Sequence, residues 1–185
     1  MNNLGITTIE LIATLAIASI LFGIAIPGAI NIHNRSKATA EINWIIGAIN
    51  YARHSAVIRR TTVTLCPDAK KNHQCNGKWQ QGLILFTDYN QNSKLDGKDV
   101  LVETIQNTVK DGTLKWRAFR NRQYLQFTKY GYTNFQNGNF THCPENRDPT
   151  YARQIVINTQ GRARVVHSRN AKGQPIDRRG KALRC

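Results

Sequence analysis

Acidic residues nearly run out in the second half of this chain. Residues 112–185 hold 15 Lys and Arg against 3 Asp and Glu, whereas residues 1–111 hold 11 against 8. The formal net charge of +15 is therefore concentrated in one half. Such an imbalance implies a polyanionic partner or surface. Catalytic signatures are missing as well: there is no Walker A sequence, G-x-G-x-x-G, H-E-x-x-H or nucleophile motif. The chain therefore reads as no enzyme, with no cofactor implied. No two cysteines have C-x-x-C spacing and no histidines gather around them, which argues against a metal site. Internal repeats and low-complexity stretches are absent too.

What is present begins with one apolar run. Residues 11–30 carry no charge, and twenty residues at about 1.5 Å each cover the roughly 30 Å of a bilayer core. Pro27 and Gly28 lie near its end. Glu10 sits at its edge, where a carboxylate at mid-bilayer would cost about 2.5–3.5 kcal/mol and wants a partner. A secretory signal would carry a small-residue cleavage site directly after the run, and no clear A-x-A stands there. Residues 1–5, ahead of the run, have no Lys or Arg, where the positive-inside rule would place some.

Gly5-Ile6-Thr7-Thr8-Ile9-Glu10 followed by an apolar run resembles the class III signal of type IV pilins and pseudopilins. That resemblance implies a leader over residues 1–5, cut after Gly5 by a prepilin peptidase. Ile6 would become the N-methylated mature terminus, and Glu10 would meet the terminal amine of a neighbouring subunit. Residues 6–32 would then be the transmembrane and filament-core half of a helix.

Beyond that run the pattern turns amphipathic. Ala38, Ile42, Ile45, Ile49, Ala52 and Ala56 recur at helical spacing, with Arg35, Lys37, Arg53 and Arg59 off the stripe. This predicts one helix to about Ile58, with residues 33–60 as its amphipathic half. Short β-rich runs follow at 61–66, 82–87, 100–105, 113–119, 124–129, 153–158 and 162–167, separated by turn clusters. The expected fold is α+β: a long N-terminal helix packed on antiparallel sheets, with residues 61–166 as the β-rich domain. The roughly 150 residues outside the membrane suffice for one domain. Residues 167–185, rich in Gly, Pro and Arg, read as an irregular basic tail.

Cys66, Cys75, Cys143 and Cys185 form an even set, which in an exported chain reads as two disulfides. Three pairings are possible. Cys66–Cys75 closing a short polar loop and Cys143–Cys185 stapling the tail is the favoured one.

Three further stretches carry chemistry. Residues 88–99 place oxygen ligands at EF-hand-like positions, but Ser93 replaces the turn glycine, Asp99 the bidentate Glu, and Lys94 and Lys98 compete. A polar hairpin loop is the better reading. Residues 115–130 interleave basic and aromatic side chains, as single-strand binders do. Trp116, Phe119, Tyr124 and Phe127 also fit core positions of strands. Gly161-Arg162-Ala163-Arg164 follows an apolar run and a turn. The glycine permits a positive φ, and two arginines one residue apart share a strand face, a fork for successive phosphates. The tail adds Arg169, Lys172, Arg178, Arg179, Lys181 and Arg184 against Asp177 alone, a basic strip expected beside the hairpin.

The class III signal, the amphipathic helix, the β-rich domain and G-R-x-R together resemble the FimT/GspH family of minor pilins and pseudopilins. The G-R-x-R run is similar to that of the FimT branch, linked to DNA uptake in natural transformation. The resemblance implies non-specific DNA binding through Gly161, Arg162 and Arg164; the tail residues are added from their charge. It also implies other pilins as partners. Before assembly the chain would sit in the inner membrane as a single-pass protein with a periplasmic C-terminal domain, and afterwards in a pilus at the cell surface. Two alternatives remain: a structural minor pilin that primes assembly without binding DNA, and a GspH-like pseudopilin of a type II secretion system.

Overall fold

The computed structural model describes residues 7–68, 74–109 and 112–185. Gly5 and Ile6 lie outside the described residues. Helix α1 spans Thr8–Arg59, 52 residues. A capping box that the sequence reading passed over starts it. The Thr7 N–H and hydroxyl donate to Glu10 Oε2 at 2.9 and 2.8 Å, and the Glu10 N–H returns a bond to Thr7 Oγ1 at 3.4 Å. The Thr-x-x-Glu spacing was the available signal.

The chain divides into two compact units at Ser36. On the N-terminal side α1 is apolar all round: Ile9, Leu15, Ile20, Phe22 and Ile24 are all exposed. A helix apolar on every face belongs in a membrane or a larger apolar core.

Among the described residues the second unit holds the rest of α1 and eight strands. They are β1 (Val63–Pro67), β2 (Leu83–Thr87), β3 (Leu101–Ile105), β4 (Thr113–Ala118), β5 (Leu125–Phe127), β6 (Gly138–Cys143), β7 (Arg153–Ile157) and β8 (Ala163–Val166). Two antiparallel sheets result, with orders β3-β2-β1-β5 and β4-β6-β7-β8. The whole α1 stripe from Ala38 to Ala56 is buried between them. Each buried Ile there contributes about 1.5–3 kcal/mol. Leu65, Leu83 and Leu125 meet it from the first sheet; Trp116, Phe140 and Ile155 meet it from the second. Trp116 stacks on Phe140 at 4.3 Å and Trp79 meets Phe140 edge-on at 4.8 Å. Polar bonds fix the helix further: Trp44 Nε1 donates to the Gln106 carbonyl at 3.0 Å, and Asn107 Nδ2 to the buried Glu41 Oε1 at 2.7 Å.

Two elements differ from the sequence reading. Strand β6 was not expected, yet it sits inside the second sheet between β4 and β7. Its sequence Gly-Asn-Phe-Thr-His-Cys offers one large apolar side chain, and buried His142 fills an inward position where alternation calls for an apolar residue. The tail is not irregular either. Its backbone folds back and forth, with bridges Arg169↔Pro175 and Ile176↔Ala182, while Pro175 and Leu183 are buried. Cys66 is bonded to Cys75 and Cys143 to Cys185.

Candidate nucleic-acid interface

The β7–β8 hairpin turns through residues 158–161. The Gly161 N–H donates to the Asn158 carbonyl at 3.0 Å, and the Asn158 N–H to the Arg162 carbonyl at 3.2 Å. Asn158 Oδ1 accepts from the Arg162 N–H at 2.9 Å. Gly161 has φ +73°, the left-handed glycine that closes such a loop. It is also buried. A Cβ there would lie 2.4 Å from the Gly131 carbonyl oxygen and 3.0 Å from the Phe127 ring. Gly161, expected among the DNA-binding residues, holds the turn against its neighbours. Arg53 on α1 secures the same spot, its Nε donating to the Gly131 carbonyl at 3.0 Å.

Past that turn, Arg162 and Arg164 are exposed while Ala163 and Val165 pack on the core. Neither guanidinium has a partner among the described residues. Strand β8 is an edge strand, and in its register Arg164 stands opposite Val156, then Asn139, then Arg117. Lys115 and Arg117 are exposed where Leu114 and Trp116 are buried. The outward face of the second sheet thus carries basic side chains at both of its edges.

The tail repeats the 158–161 turn twice. Residues 170–173 and 177–180 each close with a glycine N–H donating to the Asx carbonyl, at 2.9 and 3.0 Å. Each glycine has φ near +75° and each Asx side chain accepts two backbone N–H bonds. The Asx-x-x-Gly spacing at 170–173 and 177–180 is the sequence signal for both turns. At the third turn the Lys181 N–H bond, then the Arg179 N–H and the two nearby cations, hold the Asp177 carboxyl below its ordinary range. Its charged form therefore steadies a tip made of exposed Arg178 and Arg179.

Two points concern the tail's basic residues. Arg169 Nη1 donates to the carbonyls of Thr150 and Gly173, so it also fastens the tail. Contrary to expectation, the tail does not anchor beside the 158–161 turn. Its ties, Arg169 to Thr150 and Cys185 to Cys143, lie where β7 begins and β6 ends, at the other end of the sheet. Lys172, Arg178, Arg179, Lys181 and Arg184 are exposed. Edge strand β8 joins the two basic groups.

The aromatic stretch divides cleanly. Trp116 and Phe127 are core, Tyr124 is half-buried, and Phe119 and Tyr130 are exposed. In the 88–99 loop, buried Asp88 accepts bonds from the Thr64 hydroxyl, the Ser93 N–H and Gln126 Nε2 at 2.7–2.9 Å. Asp99 accepts from the N–H groups of Tyr89 and Asp96. Those carboxylates serve donors of the loop and of β1 and β5 beside it.

The family model described as Type II transport protein GspH matches residues 41–161. The chain belongs to the GspH family. It is thus a minor pilin or pseudopilin of the FimT/GspH type, carrying an apolar N-terminal helix that anchors such subunits. The GspH match ends at Gly161, so Arg162, Arg164 and the tail lie beyond the matched residues. No curated protein matches the chain. Among solved structures, the type IV minor pilin FimU of Pseudomonas aeruginosa is similar at 20% identity, over 69% of this chain and 90% of that one, with a TM-score of 0.49. A second crystal form of FimU gives 19%, 69%, 85% and 0.47. The minor pseudopilin EpsH from the Type 2 Secretion System of Vibrio cholerae gives 12%, 69%, 92% and 0.45.

Proposed function

We propose that this GspH-family subunit is a minor type IV pilin that binds DNA without sequence preference and supports DNA uptake in natural transformation. One observation carries the reading: Arg162, just before edge strand β8, and Arg164, on it, stand exposed and unpartnered among the described residues, behind a turn that buried Gly161 locks in place. A guanidinium free of internal partners can spend its full fork on a phosphate. Contacts of this kind reach the backbone and carry no base readout. The tail tip at Arg178 and Arg179 extends the same field.

Replacing both Arg162 and Arg164 by Gln in the full chain, held in detergent micelles, should weaken DNA binding alike for all sequences. Each lost contact should make the salt slope shallower by about 0.7–0.9. Wild-type affinity should be roughly micromolar or poorer at physiological salt, raised in a filament by many copies acting together. Lys37→Gln, on α1, should change little. A folded double variant with unchanged affinity and slope would move the assignment to a structural subunit or a secretion pseudopilin.

In the same reading a prepilin peptidase cuts after Gly5, and Glu10 pairs with the amine of a neighbour's Ile6 in the filament. The domain then faces the periplasm before assembly and the cell surface after it. Mass spectrometry of the cellular protein should give a methylated chain beginning at Ile6. An intact Met1 would count against it.

A further inference from the structure

One end of the second sheet carries a built row of exposed rings. There β4 and β7 finish while β6 and β8 begin. Residues 128–137 cross this end. At one side Thr133 donates its N–H and hydroxyl to the Thr159 carbonyl in the β7–β8 turn, at 2.9 and 3.1 Å. At the other the Phe119 N–H, just past β4, donates to the Asn137 carbonyl at 3.2 Å. From the β7–β8 turn to the start of β6 it spans at most two strand spacings, about 10 Å. Tyr130 and Tyr132, on the 128–132 turn that leads into it from β5, are 69% and 52% exposed; Phe135 along it is 70% exposed, and Phe119, just past β4, is 55% exposed.

These rings are held out rather than left over. Phe135 has φ +61°, a left-handed conformation that a bulky residue rarely adopts. Its neighbours enforce it. Asn134 is tied to Gln126 through its N–H at 3.0 Å and its side-chain amide at 3.1 Å. Gln136 is wholly buried, its Oε1 accepting from the Gln126 N–H at 2.9 Å. With both flanks pinned inward, the ring between them has no inward path. Strain of this kind collects where function needs it.

The charges of the segment itself are all of one sign, although Asn134 also donates to Gln91 of the 88–99 loop, which carries Asp96 and Lys94. Residues 112–144 contain no Asp or Glu. The Lys129 ammonium stands 5.2 Å from the Tyr130 ring centre, and the Arg120 guanidinium 5.5 Å from that of Phe119. Arg162 lies just past the turn that anchors the crossing. Rings with cations beside them suit a ligand of alternating flat and anionic groups. Protein interface cores, by contrast, are depleted of charge.

We infer that this end of the domain is a stacking platform for single-stranded nucleic acid, with unpaired bases on Tyr130, Tyr132 and Phe135 and the phosphates toward Arg162 and Arg164. It rests on the nucleic-acid reading above and adds the strand state of the ligand. Duplex bases keep their faces to one another, so the rings can engage only unpaired ones.

The test uses the full chain in detergent micelles, with a labelled oligothymidine and a labelled duplex of equal length at one salt concentration. Tyr130→Ser/Tyr132→Ser/Phe135→Ser should weaken oligothymidine binding about a hundred-fold, at roughly five-fold or more per stacked ring. Duplex affinity should change less than about two-fold. Tyr130→Phe/Tyr132→Phe, which keeps the rings, should retain oligothymidine binding. Equal loss on both ligands, or loss on neither, overturns the platform. If Arg162→Gln/Arg164→Gln still weakens both ligands while the serine variant changes neither, the platform falls and the DNA reading stands. A wild type that binds neither ligand sinks both. Retained strand binding with lost capture of a second pilin subunit would make the rings a protein interface and overturn the inference.

Discussion

Gly161→Ala should destabilise the domain by about 3–4 kcal/mol, far more than an exposed turn glycine warrants. Two costs add. A non-glycine residue at φ +73° pays roughly 1–2 kcal/mol. Its Cβ would also meet the Gly131 carbonyl at 2.4 Å, and backbone cannot swing aside as a flexible side chain can. Overpacking of that kind costs about 1–3 kcal/mol. The fold supplies its own control. Gly173 has the same φ of +73° in a turn of the same design, yet a Cβ there meets nothing within 4 Å. Gly173→Ala should therefore show the conformational cost alone. Urea unfolding of the two variants separates packing from backbone preference. Equal losses would mean that the two turns are not docked as described. Since domains of this size are stable by about 5–15 kcal/mol, the Gly161 variant should also hold Arg162 less firmly and bind DNA more weakly.

Removing the Cys143–Cys185 bond should cost about 4 kcal/mol by the chain-entropy relation, for a sequence separation of 42. Removing Cys66–Cys75, at a separation of 9, should cost about 3 kcal/mol. Paired serine variants avoid leaving a free thiol. The sharper difference lies in where each loss is felt. Without Cys143–Cys185 the tail keeps Arg169 and the short turns, so the amides of Ile176 and Leu183, which now donate to Ser168 and Pro175, should exchange much faster. DNA affinity should fall more than in the Cys66→Ser/Cys75→Ser variant, because Lys172, Arg178 and Arg179 lose their fixed positions. Equal amide protection in the two variants would show the tail to be ordered by its turns alone.

What could be read from the sequence was whatever repeats locally. The stripe from Ala38 to Ala56 follows the helical period, and all of it is buried. Arg162 and Arg164 follow the strand period, and both are exposed. β6 was hidden because its place depends on neighbours distant in sequence: Phe140 stacks on Trp116 and His142 fills an inward position. Gly161 shows the same limit from the other side. Its turn role was legible, but its contact with Gly131, thirty residues away, was not. The tail's two tight turns were spelled out in Asx-x-x-Gly, yet composition suggested irregularity. The exposed rings of Tyr132 and Phe135 lie outside the basic stretch 115–130, and only folding bonds their segment, through Thr133, to the β7–β8 turn.

The route by which the tail is tied back also sets how the domain bears tension. A ligand pulling on Arg178 and Arg179 pulls on a segment joined covalently at two places. One is the end of β8, an edge strand that would peel from β7 one hydrogen bond at a time. The other is Cys185, bonded to Cys143 at the end of β6, which is flanked by β4 and β7. Load entering by the second route must slide β6 against both neighbours at once, breaking many bonds together. The crosslink thus turns a zipper into a rivet, and a subunit whose ligand is hauled would resist unfolding at forces that strip an uncrosslinked edge.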